Sequence, residues 1–196
     1  MNKKIEIMTE DEIIQMFKDK EAFLEGHFHL SSGQHSEGYL QCAKVLQHPA
    51  IAQKLGESLA SYFIKEGILA VVSPAMGGLI IGHEVAKALD VPFLFSERVE
   101  GEMTFRRGFS LSTDNKVLVV EDVVTTGGSA QEVIDFLQGL DVKVFGVCSV
   151  MNRSGGKDPF SVPFKALASL NIKTYDSLAC PMCKQGLGVD KPGSRV

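Results

Sequence analysis

Apolar runs of strand length alternate with amphipathic helical segments through the middle of the chain. The runs span residues 68–72, 91–95, 117–120 and 142–150. A helix is predicted over residues 79–89, and a second one carries apolar residues at helical spacing at Ala130, Val133, Ile134 and Leu137. This order predicts an α/β fold, a parallel sheet flanked by helices, with ligands at the carboxyl ends of the strands.

Two further helices are predicted before this alternating region. Thr9 and Glu12 have the spacing of a capping box, and we expect the helix that follows to run to about Leu24. Pro49 begins the second helix, which we expect Gly67 to end. The second helix carries an apolar face that suits packing on a core, formed by Ile51, Leu55, Leu59, Tyr62 and Phe63.

Composition is that of an ordinary globular protein. The chain has 196 residues with 44% hydrophobic and 22% charged residues, which fits a single domain over residues 1–196. The net charge of -4 argues against a nucleic-acid-binding surface, which is normally basic. No apolar stretch approaches the roughly 20 residues of a membrane span, and residues 1–12 lack the apolar run of a signal peptide. With four cysteines expected as free thiols, we predict a cytoplasmic protein that binds neither nucleic acid nor membranes.

Residues 117–129 combine groups that suit a sugar phosphate. The apolar strand is followed by Glu121, Asp122, Val123, Val124, Thr125, Thr126, Gly127, Gly128 and Ser129. The two glycines allow a tight turn, and the free N–H groups where the next helix begins suit a phosphate. The hydroxyls of Thr125, Thr126 and Ser129 add donors. Such a site can hold a phosphate without lysine, and a Walker-type P-loop is excluded because no Gly-Lys-Ser/Thr sequence occurs here.

The carboxylates of Glu121 and Asp122 are unfavourable beside a phosphate unless they bind hydroxyls or a metal ion. The segment resembles the signature of the phosphoribosyltransferases at all thirteen positions. The resemblance implies that the two acids hold the ribose hydroxyls of phosphoribosyl pyrophosphate (PRPP) and that residues 123–129 bind the donor, with 125–129 around its 5-phosphate. It also implies Mg²⁺ on the donor, which the acids contact mostly indirectly. Taken alone, a capped helix after a core strand with two solvated acids would also explain these residues.

Other segments resemble one branch of that class, the orotate phosphoribosyltransferases. Residues 28–33, with Ser36 and Tyr39, are similar to that family's N-terminal substrate hood, which would occupy about residues 1–48. The tail from Cys180 to Arg195 is similar to the ending of many bacterial and archaeal members. A further segment is similar to the family's pyrophosphate loop, whose binding residues would be Ser73, Ala75, Met76, Gly77 and Gly78.

The same resemblance assigns the base-binding site and the reaction. Arg153 matches the arginine that grips the orotate carboxylate, and Thr125 would also touch orotate. An arginine suits this role because its guanidinium meets a carboxylate through two hydrogen bonds. The reaction would be magnesium-dependent transfer of ribose 5-phosphate to N1 of orotate, which gives orotidine 5′-phosphate and pyrophosphate in pyrimidine biosynthesis. The resemblance also implies a homodimer.

A segment of about twenty residues, 96–115, separates two core strands and is predicted to be a mobile lid. Alternation over residues 103–111 indicates a β-ribbon within it. Arg98 falls closest to the family's lid arginine, and Arg106 and Arg107 are the other cations that could meet charge on pyrophosphate. These arginines, with the two acids, are the predicted catalytic residues. An exposed hairpin with solvated arginines is the alternative.

The chain departs from the family at its lysines. The best-studied members carry a lysine at the position of Ser31, another near Gly77, and a lid rich in lysine and histidine, none of which occurs here. A phosphoribosyltransferase for another base, or a donor-sensing regulator of the same fold, therefore remains an alternative. Arg153 and the hood favour an anionic pyrimidine, and no basic face supports a DNA-binding regulator. A dinucleotide oxidoreductase is excluded because no G-x-G-x-x-G follows a strand.

Cys180-x-x-Cys183 could be half of a zinc site or a redox pair. A structural zinc needs a second pair of ligands, and Cys42 and Cys148 are isolated in the sequence. No paired ligand spacing on one helix face links the histidines, which are His27, His29, His35, His48 and His83. The sequence therefore favours a simple turn at this motif over metal or redox function.

Overall fold

The computed structural model describes residues 7–30, 33–156 and 158–191, which form nine strands and six helices. The strands are β1 (Phe23–His29), β2 (His35–Leu40), β3 (Ala70–Pro74), β4 (Phe93–Val99), β5 (Glu102–Thr104), β6 (Lys116–Val124), β7 (Lys143–Asn152), β8 (Phe164–Ser169) and β9 (Thr174–Tyr175). The helices are α1 (Glu10–Asp19), α2 (Ala43–Leu46), α3 (Pro49–Ala60), α4 (Gly78–Leu89), α5 (Gly128–Gly139) and α6 (Pro181–Lys184).

The larger sheet confirms the predicted α/β fold. Its strand order is β5-β4-β3-β6-β7-β8, and all neighbouring pairs are parallel except β4 with β5. Both faces are covered, because Leu118 and Val120 of β6 belong to the core beneath α3 and α4, whereas Val117 and Val119 belong to the core beneath α5. This strand is apolar without alternation because both of its faces are buried. None of the described helices is long and apolar enough to cross a membrane.

A second, smaller sheet forms the region predicted as a hood. The strands β1 and β2 make an antiparallel hairpin, and β9 from the end of the chain pairs with β2. The backbone near the C-terminus continues along this sheet, since Asp190 exchanges hydrogen bonds with His27 and His29 over 2.8 Å. Ser31 and Ser32 of the predicted hood motif, and residues 192–195 of the tail motif, lie outside the described residues.

Several predicted boundaries were wrong. The capping box of Thr9 and Glu12 is present, but α1 ends at Asp19 and not at Leu24. It ends early because Glu21 takes a left-handed conformation, with φ of 50°, and the chain then turns into the hairpin. The helix that begins at Pro49 ends at Ala60, and turns lead on to Gly67. The ribbon expected over residues 103–111 is only a short pairing of β4 with β5.

Candidate active site

A phosphate-sized recess lies where β6 turns into α5. The first hydrogen bond along the helix runs from the Gln131 N–H to the Gly127 carbonyl over 2.8 Å. The N–H groups of residues 128–130 therefore have no acceptor within the helix, and no side chain caps them. The cavity measures about 130 Å³ and is lined by Glu121, Val123, Val124, Thr125, Thr126, Gly127, Gly128, Ser129 and Ala130. The predicted donor-binding segment thus forms one concave surface, which we call the cradle (residues 123–130).

The turn into the cradle requires glycine at position 127. Gly127 has φ of 81°, a left-handed conformation that side chains disfavour. A Cβ atom on it would also lie 2.9 Å from the ring of Phe160 and 3.0 Å from Pro159. The neighbouring Thr125, Thr126 and Gly128 are exposed. Their donors therefore remain open to a ligand while the turn itself is fixed by packing behind it.

The paired acids lie within β6, which extends to Val124 and not only to the predicted residue 120. Glu121 is 9% exposed, and burial together with repulsion from Asp122 raises its pKa from 4.5 to about 9. Burial also raises the pKa of Asp122, although a hydrogen bond of 2.9 Å from the Val123 N–H opposes this rise. Two neighbouring carboxylates with raised pKa values, one buried and one half-buried, favour a cation or hydroxyl donors beside them.

The predicted pyrophosphate loop packs directly on these acids. A Cβ atom on Gly77 would lie 2.7 Å from Oδ1 of Asp122, and one on Gly78 would lie 3.1 Å from Oε2 of Glu121. The glycines therefore let the loop approach the carboxylates closely. Ala75 is half-buried and Met76 is exposed at the open side of the loop. The side chain of Ser73 is fully buried, and its hydroxyl has no hydrogen-bond partner among the described residues.

Arg153 directly follows β7, the strand paired with the acid-bearing β6, and Cys42 lies near both its guanidinium and Asp122. Its N–H donates to the Val124 carbonyl over 2.7 Å, which fixes its backbone against β6. Burial lowers the pKa of its guanidinium, which interacts electrostatically with Cys42 and Tyr39. The Nε atom of Arg153 is buried and has no partner within the described part of the chain. A half-buried cation with an unused donor, between the hood and the sheet, suits an anionic ligand group.

The three arginines of the predicted lid have different surroundings. Arg98 makes two hydrogen bonds to Glu132 of α5, at 2.7 and 2.9 Å, and so lies across the helix that follows the cradle. Arg107 pairs with Glu97 and stacks over the Phe95 ring at 5.1 Å. Arg106 is exposed, and its guanidinium pairs with no described residue. The structure therefore brings Arg98 close to the cradle, and it exposes Arg106 with no ion-pair partner among residues 7–30, 33–156 and 158–191.

Two contacts at the site were not predicted from the sequence. Glu132 holds Arg98, and its position on an ordinary polar helix face offers no sequence signal. Cys42 donates to the Asp122 carbonyl through its sulfur over 3.8 Å, and burial raises the pKa of its thiol. Both residues contact predicted site residues, Glu132 through Arg98 and Cys42 through Asp122.

Comparison with known proteins identifies the family. The family model described as the phosphoribosyl transferase domain matches residues 41–177. The chain is 50% identical to the orotate phosphoribosyltransferase of Desulforamulus reducens, over 96% of this chain and 98% of that protein. It is also 50% identical to that of Carboxydothermus hydrogenoformans, over 94% and 97% of the two chains.

Solved structures share the fold at lower identity. The crystal structure of orotate phosphoribosyltransferase from Aeropyrum pernix superposes with a TM-score of 0.65 at 24% identity, covering 81% of this chain and 93% of the other. The cradle, the paired acids and the glycine loop packed on them are thus set in a fold that such enzymes share. Together with the matches over nearly the whole length, they show that the chain belongs to the phosphoribosyltransferase family, in its orotate phosphoribosyltransferase branch.

Proposed function

We propose that this protein transfers ribose 5-phosphate from PRPP to N1 of orotate, releasing pyrophosphate. The observation that carries the proposal is that groups of three different chemistries lie at the ends of the adjacent strands β6 and β7. The cradle offers phosphate donors, the Glu121–Asp122 pair offers carboxylates, and Arg153 offers a guanidinium that shares the neighbour Cys42 with Asp122. Together they match a substrate pair with a phosphate, a ribose carrying hydroxyls, and an anionic base.

The cradle binds the 5-phosphate of the donor. Its unpaired N–H groups at the start of α5 lie at the positive end of the helix dipole. The hydroxyls of Thr125, Thr126 and Ser129 add donors to the same anion. Each hydrogen bond to a charged group contributes roughly 1.5–3 kcal/mol, so four or five of them hold a phosphate without a lysine.

Glu121 and Asp122 bind the ribose hydroxyls and lie next to the site of Mg²⁺ on the donor. Burial raises both pKa values, and repulsion from Asp122 further raises that of Glu121; a nearby positive charge would relieve both effects, which supports a hard cation beside the pair. Bound Mg²⁺ would neutralise charge on the leaving pyrophosphate. The two carboxylates also favour the positive charge that develops on the ribose ring as the bond at C1 breaks.

The remaining roles follow from position. The loop at residues 75–78 contacts the pyrophosphate, and Arg98 and Arg106 meet its charge when the segment 96–115 closes over the site. Arg107 pairs with Glu97 and Arg98 pairs with Glu132, so each of them would exchange a carboxylate partner for the pyrophosphate. Arg153 and Thr125 hold the base, and the guanidinium selects orotate over uracil because only orotate carries a carboxylate.

The family resemblance also supports a homodimer in the cytoplasm. None of the four cysteines, all of which lie in the described part of the chain, forms a disulfide, which fits a reducing compartment. Light scattering on the purified protein tests the dimer, since a monomer at micromolar concentration would contradict it.

A spectroscopic assay of orotate depletion tests the proposed activity. Protein with PRPP and Mg²⁺ should consume orotate and release pyrophosphate, whereas uracil and hypoxanthine under the same conditions should react at least about 100-fold more slowly. Consumption of uracil or hypoxanthine in preference to orotate would assign the enzyme to another base. Tight PRPP binding with no turnover of any base would identify a donor-sensing regulator.

A further inference from the structure

Two histidines of the hood and two cysteines near the C-terminus converge on one point. His27 lies in β1, His35 lies in β2, Cys180 precedes α6 and Cys183 lies in it. One ligand atom from each side chain, two nitrogens and two sulfurs, lies within 4.8 Å of all the others. The contact of Cys180 with His27 joins residues that are 153 positions apart in the sequence. The cluster lies outside the substrate site described above.

The distances are close to those of a tetrahedral metal centre. Zinc bonds of about 2.0–2.1 Å to nitrogen and about 2.3 Å to sulfur place tetrahedral N···S pairs about 3.6 Å apart. The Cys180 sulfur lies 3.5 Å from Nε2 of His27, and the Cys183 sulfur lies 3.8 Å from it. The Cys183 sulfur also lies 3.3 Å from Nδ1 of His35. The two nitrogens are 2.7 Å apart and would separate by roughly 0.7 Å around an ion.

A hydrogen bond outside the cluster orients one imidazole as a ligand. Nδ1 of His27 lies 3.0 Å from the Leu187 carbonyl, so this nitrogen carries the proton and donates it. In the neutral imidazole of this tautomer, Nε2 faces the sulfurs with its lone pair available to a metal. Metal-binding histidines commonly have such a carbonyl partner on the other ring nitrogen.

Burial and composition distinguish this cluster from chance proximity on a surface. His27 is 5% exposed, His35 is 7% exposed and Cys180 is 1% exposed, while Cys183 is exposed to solvent. The group contains no carboxylate, and two thiols with two imidazoles form one of the usual ligand sets of structural zinc. A hydrogen bond between the two imidazole rings would explain why His27 lies against His35. It would not explain why the sulfurs of Cys180 and Cys183 both lie within 3.8 Å of Nε2 of His27.

We propose that His27, His35, Cys180 and Cys183 bind a structural zinc ion that fastens the C-terminal segment to the hood. The C-terminal segment already runs along the β1–β2 hairpin, because the backbone of Asp190 forms hydrogen bonds with β1 and β9 pairs with β2. The ion closes this arrangement with side-chain bonds from three separate parts of the chain. Because β2 continues from His35 to Tyr39 beside Arg153, the ion also holds the hood in position next to the base site, a consequence that rests on the proposed function.

Metal analysis of the untagged full-length protein, purified with a reductant and without chelators, tests the site. We expect about one zinc per chain by plasma mass spectrometry. Cys183→Ser and His35→Gln should each lose most of this zinc. His29→Gln is the matched control, because His29 pairs with His35 across the hairpin with ring centroids 5.5 Å apart but is not among the four ligands.

A second measurement on the unmodified chain avoids any folding defect of the variants. Titration with a mercurial reagent should release one zinc as two thiols react, and cobalt(II) in place of zinc should give the intense visible bands of tetrahedral coordination with sulfur. Removal of the ion should lower Tm by several degrees. This change in Tm is measured without orotate or PRPP. A failure of the zinc proposal can therefore be distinguished from a failure of the proposed activity.

Two outcomes would overturn the proposal. One is protein that stays free of zinc when the metal is added under reducing conditions, above all if peptide mapping finds Cys180 and Cys183 joined as a disulfide. The other is zinc that remains at full stoichiometry in both Cys183→Ser and His35→Gln, since the ion would then be bound elsewhere.

Discussion

Glu121→Gln should stabilise the folded protein at neutral pH although it alters the active site. Glu121 has a pKa raised from 4.5 to about 9 in the fold, mainly through burial. Between these pH values the unfolded chain releases the proton while the folded chain keeps it, so stability falls as pH rises above 4.5. Each pH unit costs about 1.4 kcal/mol, which amounts to about 3 kcal/mol at pH 7 and less than about 1 kcal/mol at pH 5. Glutamine is neutral throughout and removes this cost.

Urea unfolding without PRPP or Mg²⁺ at pH 5, 6, 7 and 8 measures the effect. The gain from Glu121→Gln should grow with pH from less than about 1 to about 3 kcal/mol between pH 5 and pH 7. Glu66→Gln, at an exposed position in the turn after α3, should show no such growth and serves as the control. If the two variants had the same dependence on pH, Glu121 would not be a buried, proton-retaining group and the electrostatic account of the acid pair would be refuted.

Three further substitutions separate the parts of the site. Asp122→Asn should lower kcat by about 10²–10³-fold, because the carboxylate favours positive charge on the ribose, and a nearly unchanged kcat would remove that role. Arg153→Ala should chiefly raise KM for orotate and leave kcat within about tenfold, since its contact exists before and after bond cleavage; steady-state kinetics at saturating PRPP would disprove this if only kcat changed. Gly127→Ala should cost about 2–4 kcal/mol of unfolding free energy, from its left-handed φ of 81° and the collision with Phe160. Gly139→Ala, at the last residue of α5, meets no atom within 4 Å and should change stability by less than about 1 kcal/mol, so equal losses in urea would count against the packing argument.

The central fold could be predicted because its signals are local. Residues 117–120 are apolar without alternation, and α5 repeats its apolar residues at helical spacing, so each element is specified within its own segment. The order of these elements then fixes a parallel sheet. The cradle was equally predictable, because a strand end, two glycines and a helix start follow each other directly in the sequence.

The features that could not be predicted, such as the end of α1, depend on contacts with residues far away in the sequence. The helix expected to run to Leu24 ends at Asp19 because residues from Phe23 onward pair with β2. The packing of Gly77 on Asp122 likewise follows from the fold and not from either segment.

The histidine and cysteine cluster shows the same limit. His27 and His35 lie on paired strands, so a search for ligand spacing on one helix face does not find them. Cys180 and Cys183 lie near them only because the segment around α6 folds against the hood. Only the three-dimensional arrangement supplies the second pair of ligands that the Cys-x-x-Cys motif lacked in the sequence.

A crystal structure of the protein with PRPP and Mg²⁺ tests most directly whether the cradle and the paired acids bind one sugar phosphate. The 5-phosphate should lie against the N–H groups and hydroxyls of residues 125–129, with the ribose hydroxyls on Glu121 and Asp122. A donor bound elsewhere, with this cavity filled only by solvent, would contradict the account.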